Sequence, residues 1–273
     1  MAAGVRKIIL LTLGWEELPK SISVYGADPS LRMREPVPGV LLQTDGGYVL
    51  LDTGFNTALI RDPALYRRYY PSIEYRPVLP GPGEPIEEGL AAVGIDIDEI
   101  HAVAVSHLHH DHSGGIKLFA GRVPVHAQRR ELEYGMRNDP GPEAHAFARV
   151  DYDDPGIEWK LADGEAEIAP GVTAVPTYGH TPGHQSFMVE LDDSVGGGGF
   201  VFAFDAADLT ENIEHELPIG GVVDIDPRET VEPIRRLKKL SAERGFELIP
   251  GHDPVVWPAL TERFARQFAA SVQ

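Results

Sequence analysis

The stretch from Val103 to Gly115 ends an apolar run in His107, His109, His110, Asp111 and His112, then closes on Gly114-Gly115. Protonated imidazoles this crowded repel one another, and a carboxylate buried among them is costly unless something neutralises it. A divalent cation meets both demands, because it binds neutral imidazoles through ring nitrogens and pairs with the carboxylate. The alternative is a solvated loop that happens to be His-rich. His107 and His109 sit two apart on an extended segment, so both can face one side. His110 then points away and is expected to line a pocket or to pack. Ligand-type residues recur where other strands are predicted to end: the His180-Thr181-Pro182-Gly183-His184 segment after Thr177, Asp205 after Phe204, and His252 after Gly251. His107, His109, Asp111, His112, His184, Asp205 and His252 together suffice for two metals sharing a carboxylate, an arrangement suited to hydrolysis. His184 is taken as the ligand of its segment, and His180 as structural. Asp52-Thr53-Gly54 also closes a strand, either as a plain turn or to aim a carboxylate at the same site.

These residues need elements to hold them. Ile8 to Leu13 reads as a first strand, and residues 14–38, with Pro19, Gly26, Pro29, Pro36 and Pro38, as irregular chain. Val37 to Thr44 and Tyr48 to Asp52 read as a hairpin turning at Asp45-Gly46-Gly47. Pro63 to Tyr70 and Glu87 to Val93 have helical spacing, and Pro71 to Pro85 between them reads as a loop. Ile100 to Val105 and Val123 to His126 are predicted strands, the second followed by a helix from Ala127 to Met136. Residues 135–156 read as a polar loop. From Ile157 onward five short strands are expected, ending at Phe204, with Val195 to Gly199 as a glycine-rich turn that lacks a phosphate-binding signature. A helix over Thr230 to Glu243, a strand over Glu247 to Ile249 and a helix over Ala259 to Ala269 complete the chain. Two rounds of strands and helices predict an α+β fold, a four-layer αββα sandwich forming a single domain over residues 1–273.

The composition narrows the choice of partner. The 273 residues carry 42 acidic against 24 basic side chains, a net charge of -18. Such a surface repels nucleic acid and anionic membranes, and it is compatible with a neutral or apolar small molecule. The absence of cysteine rules out a disulfide framework, thiolate zinc ligands and a thiol nucleophile. Arg6 and Lys7 precede only a short apolar run, so no export signal is read and a cytoplasmic protein is expected. No stretch approaches the ~20 apolar residues of a membrane span. Oligomeric state is left open.

His107-Leu108-His109-His110-Asp111-His112 resembles the His-x-His-x-Asp-His signature of the metallo-β-lactamase superfamily, with Asp52, His184, Asp205 and His252 following its order. The resemblance implies the αββα fold and a dinuclear centre. It assigns His107, His109 and His184 to one metal, Asp111, His112 and His252 to the other, and Asp205 to both. Asp52 would orient a ligand without binding metal. Residues 179–186, 205–214 and 216–253 are similar to the N-acyl homoserine lactone lactonases within that superfamily. One position departs: several members carry Tyr three residues after the bridging Asp, where this chain has Asp208.

The resemblance implies that a hydroxide bridging two divalent metals opens a lactone ring, with Asp111 passing a proton to the leaving oxygen. The expected metal is zinc, with iron, cobalt or manganese also suited to imidazole and carboxylate. Asp208 favours a rival, hydrolysis of a thioester, aryl ester or phosphate ester at the same site. A non-catalytic metal-binding module is the third reading, against which all seven ligand positions being present argues. Tyr178 is weighed as a stand-in for the missing Tyr. The acyl chain is expected against residues 14–33 and the loop from Pro71 to Pro85. His145 and His215 are read as solvated loop residues.

Overall fold

The computed structural model describes residues 4–137 and 146–269; His145 lies outside them. In chain order the elements are β1 (Lys7–Pro19), α1 (Lys20–Ser23), β2 (Arg32–Thr44), β3 (Gly47–Leu51), α2 (Thr57–Arg61), α3 (Pro63–Tyr69), β4 (Arg76–Val78), α4 (Pro85–Val93), β5 (Ile100–Ala104), β6 (Pro124–Gln128) and α5 (Arg129–Arg137). There follow β7 (Glu158–Ala162), β8 (Ala166–Ala169), β9 (Val172–Pro176), β10 (Gln185–Glu190), β11 (Gly199–Phe202), α6 (Thr210–His215), α7 (Val231–Arg244), β12 (Glu247–Ile249) and α8 (Val256–Gln267).

Strict alternation along the strands builds the layers. Ile8 and Leu10, Val40 and Leu42, Val49 and Leu51, and Ala102 and Ala104 face inward from a seven-stranded sheet ordered β4-β1-β2-β3-β5-β6-β7. Val172, Ala174, Phe187, Val189, Phe200 and Phe202 meet them from a five-stranded sheet ordered β12-β11-β10-β9-β8. The intervening residues face outward. Leu11, Leu13, Leu41, Leu50 and Val103 pack under Ile86 and Leu90 of α4. Val175, Met188 and Val201 pack under Ile234 and Leu237 of α7. The result is the expected αββα sandwich.

Residues 14–38 are not irregular. β1 runs on to Pro19 and pairs with β2 from Arg32, with a register shift between Thr12 and Trp15 where Gly14 takes φ 149°. Pro36 and Pro38 fit because β3 pairs with β2 only from Val40 onward, so neither proline faces a second strand. The loop from Pro71 to Pro85 contains β4, which pairs with Trp15 to Glu17 at the sheet edge. β7, expected among the later strands, instead pairs parallel to β6 in the first sheet. The helices α1, α2 and α6 were too short to register as a helical period.

Gly114 shows how tightly the His-bearing loop is seated. Its N–H donates to the Gly54 carbonyl at 2.7 Å. A Cβ there would lie 2.0 Å from the Asn56 nitrogen and 2.2 Å from the Phe55 carbonyl carbon, both backbone atoms that cannot rotate away. Gly114→Ala is therefore expected to destabilise by about 1–3 kcal/mol, as overpacking does. Gly46→Ala, whose nearest neighbour would be 3.9 Å away, should stay within about 0.5 kcal/mol of the parent. Urea unfolding of both variants measures the difference, and equal midpoints would contradict the seating.

Candidate metal centre

The site gathers at one rim of the sandwich. β3 delivers Asp52, β5 leads into Ser106 to His112, the β9–β10 turn carries His180 and His184, β11 leads into Asp205 to Asp208, and β12 into His252. Asp52 is the buried anchor of this rim. It takes a left-handed conformation at φ 58°, which short polar side chains tolerate better than most. Its Oδ1 accepts from the Ser106 N–H at 2.6 Å. Its Oδ2 accepts from the Ser106 hydroxyl and lies 2.7 Å from His112 Nδ1. Fixing Nδ1 in this way turns His112 Nε2 toward the centre.

Around Asp205 the donors form two groups. His180 Nε2 lies 3.1 Å from His107 Nε2 and 2.8 Å from His109 Nδ1. Asp205 Oδ2 faces these nitrogens, 3.3 Å from His180 Nε2 and 3.8 Å from His107 Nε2. Asp205 Oδ1 faces the second group, 3.2 Å from His112 Nε2 and 3.0 Å from His252 Nε2. Asp111 Oδ2 completes that group, 2.8 Å from His112 Nε2. His252 Nδ1 lies 3.0 Å from the Pro36 carbonyl, to which it can donate, which leaves Nε2 to point inward. One carboxylate thus offers one oxygen to each group, the disposition of a ligand shared by two cations.

Burial sets the protonation states. It holds His107 and His109 well below the usual imidazole range, assisted by neighbouring imidazoles, and pushes His180 down as well. Neutral rings keep a free lone pair, as metal ligation requires. For His112 burial works against charge, but Asp111, Asp205 and Asp52 override it and raise it well above that range. For Asp111 burial opposes ionisation, yet His112 prevails and keeps it low. His109 Nε2, His112 Nε2 and His180 Nδ1 are buried without a hydrogen-bond partner. His180 Nε2 carries at most one proton and so cannot donate to both His107 Nε2 and His109 Nδ1; a divalent cation can take a lone pair from each ring.

Six of the seven ligand positions read from sequence fall in these two groups. His184 is the exception. Its Nδ1 is tied to Thr177 Oγ1 at 2.8 Å, and it groups only with His107 and Asp205. His180, set aside as structural, is the ring that meets both His107 and His109. Strand parity carried a signal: His184 shares the face of Ser186 and Met188, and Thr177 Oγ1 contacts both His184 and Ser186. The buried Glu131 of α5 was also not anticipated. Its oxygens accept from the Leu108 and Gly183 N–H groups and the Thr181 hydroxyl, tying the two His-bearing loops together.

The centre opens into a cavity of about 550 Å³ lined by Leu18, Ile22, Tyr70, Tyr75, Val222 and Val223, among others. Glu16 and Glu35, within the stretch read as irregular, also line it, as do His110 and Asp208. His110 packs against Tyr70 and Tyr75 with ring centroids 4.6 and 5.3 Å away. Tyr178 does not line this cavity; its hydroxyl donates to Gln128 Oε1 at 3.0 Å. His215 is exposed at the end of α6.

A model of the metallo-beta-lactamase superfamily matches residues 33–252, and the chain belongs to that superfamily. Within it, the chain is 32% identical over 235 residues to the N-acyl homoserine lactonase AttM of Azorhizobium caulinodans, covering 82% of this chain and 84% of AttM. It is 29% identical over 249 residues to the N-acyl homoserine lactonase AiiA of Bacillus thuringiensis subsp. kurstaki, covering 91% and 94%. A solved N-acyl homoserine lactone hydrolase with the product N-hexanoyl-L-homoserine bound at its catalytic metal center superposes with a TM-score of 0.81 at 28% identity. That match covers 94% of this chain and 96% of the other.

Asp52→Ala would strip the Ser106 N–H and His112 Nδ1 of their buried acceptor. Leaving one half of such a buried pair should cost about 3–5 kcal/mol. Chemical unfolding of the variant measures this, and a loss under about 1 kcal/mol would contradict the anchoring role.

Proposed function

We propose that the protein is a dinuclear metal-dependent lactonase that opens the ring of N-acyl homoserine lactones. The observation that carries this reading is the division of donors on either side of Asp205 at the floor of a partly apolar cavity. His107, His109 and His180 hold one divalent ion. Asp111, His112 and His252 would hold the other, with Asp205 offering one oxygen toward each group. His184 supports the first group from behind. Zinc suits this set of imidazoles and carboxylates.

The bound ions supply an acidified water and a polarised carbonyl oxygen. The side chains do the rest. Asp52 and Glu131 hold the ligands in place, so little reorganisation accompanies reaction. Positive charge beside Asp111, on the His112 ring in the metal-free protein, keeps it ionised, and a bound cation would serve the same end. Asp111 accepts the proton released as water adds to the carbonyl carbon and returns it to the ring oxygen as the ester bond breaks. Leu18, Ile22, Val222 and Val223 receive the acyl chain.

The test is ring opening of N-hexanoyl homoserine lactone, followed by acid release. Removing the metal, or His109→Ala, should lower kcat/KM by roughly a thousandfold, the several kcal/mol a Lewis acid contributes. Added zinc should restore the stripped parent. Ring opening that continues undiminished after metal removal would refute the reading.

A further inference from the structure

Three carboxyls line the cavity beside the metal centre: Glu16, Glu35 and Asp208. The protein supplies a hydrogen-bond donor to two of them. Glu16 Oε1 accepts from the Tyr75 hydroxyl. Both oxygens of Glu35 lie within reach of the Ser23 hydroxyl, at 2.7 and 2.9 Å. Asp208 differs. It is 6% exposed, and its Oδ1 is buried with no partner. A buried acceptor without a donor is costly, and such groups in folded proteins are satisfied by something. The backbone fixes where Asp208 stands, since its carbonyl accepts from the His252 N–H at 2.8 Å. The side chain is therefore adjacent to the second donor group; Oδ1 is buried, and the residue lines the cavity with no side-chain hydrogen bond from the protein.

The missing donor can be matched to the proposed substrate. An N-acyl homoserine lactone has one N–H, on the amide attached next to the lactone carbonyl, and otherwise only oxygen acceptors. A residue that reads this N–H must stand beside the reacting carbonyl, away from the acyl tail. Asp208 stands there, while Leu18, Ile22, Val222 and Val223 line apolar parts of the same cavity. We propose that the Asp208 carboxyl accepts a hydrogen bond from the substrate amide N–H and so selects acylamino lactones over lactones that lack the amide. Carboxylate and carboxylic acid both retain an accepting oxygen, so the contact does not depend on the charge of Asp208. The inference rests on the lactonase reading and adds to it the feature of the substrate that this chain recognises.

The experiment compares two substrates on the metal-loaded enzyme. One is N-hexanoyl homoserine lactone. The other is an α-alkyl γ-butyrolactone of matched length, with ring and chain but no N–H. Asp208→Ala should lose about tenfold or more in kcat/KM on the first relative to the second, mainly through KM, the expected effect of one such hydrogen bond. Asp208→Asn keeps an accepting oxygen in place and should recover most of the preference. Metal content and thermal unfolding establish that each variant is folded and loaded. Equal losses on both substrates, or none on either, would overturn the proposal while leaving the lactonase reading intact. A parent holoenzyme that opens neither lactone would overturn both.

Discussion

Everything at this site follows from placing imidazole nitrogens where they face one another out of water. His180 Nε2 sits within about 3 Å of nitrogens on both His107 and His109, and burial holds all three rings neutral. A single proton on His180 Nε2 can serve one of these neighbours and not both. On the far side of Asp205, the carboxylates outweigh burial and draw charge onto His112 and His252. A pair of cations would relieve both problems together. It would take lone pairs from the neutral rings, and it would replace the protons that His112 and His252 otherwise carry.

The αββα sandwich makes that convergence possible. Its period-two strands bury one face against the opposite sheet and the other beneath α4 or α7. Side chains are thereby committed along the strands, and the chain is free to vary only where strands end. Both sheets end at the same rim, so donors distant in sequence meet there. Asp52 fixes His112 from beneath, and Glu131 joins the loop at Leu108 to the turn at Gly183. Close approach matters as much as hydrogen bonding. A Cβ at Gly183 would lie 2.3 Å from the Glu131 nitrogen, so the turn can reach α5 only because glycine is there.

The sequence made much of this legible, for identifiable reasons. Alternating strands and the dense run from His107 to His112 announced the layers and most of the donors, because both are local patterns. Three features were not local. Pro36 and Pro38 looked like strand breakers, and only the length of β3 reveals that they face no second strand. β7 carries nothing in its own residues that assigns it to one sheet over the other. The choice between His180 and His184 was legible only by carrying the parity of β10 back to His184, and the Thr177 contact that fixes that ring is made in three dimensions. The carboxyls of Glu16 and Glu35 escaped notice for the same reason as β2, since their stretch read as irregular chain.

The central claim is that two cations lie on either side of Asp205, with His180 completing the first set of ligands. Anomalous diffraction from crystals of the metal-loaded protein, collected at the metal absorption edge, tests it most directly. The account predicts two peaks about 3.5–4 Å apart, one contacted by His107, His109 and His180, the other by Asp111, His112 and His252. A single peak, or a first peak contacted by His184 with His180 turned away, would contradict it.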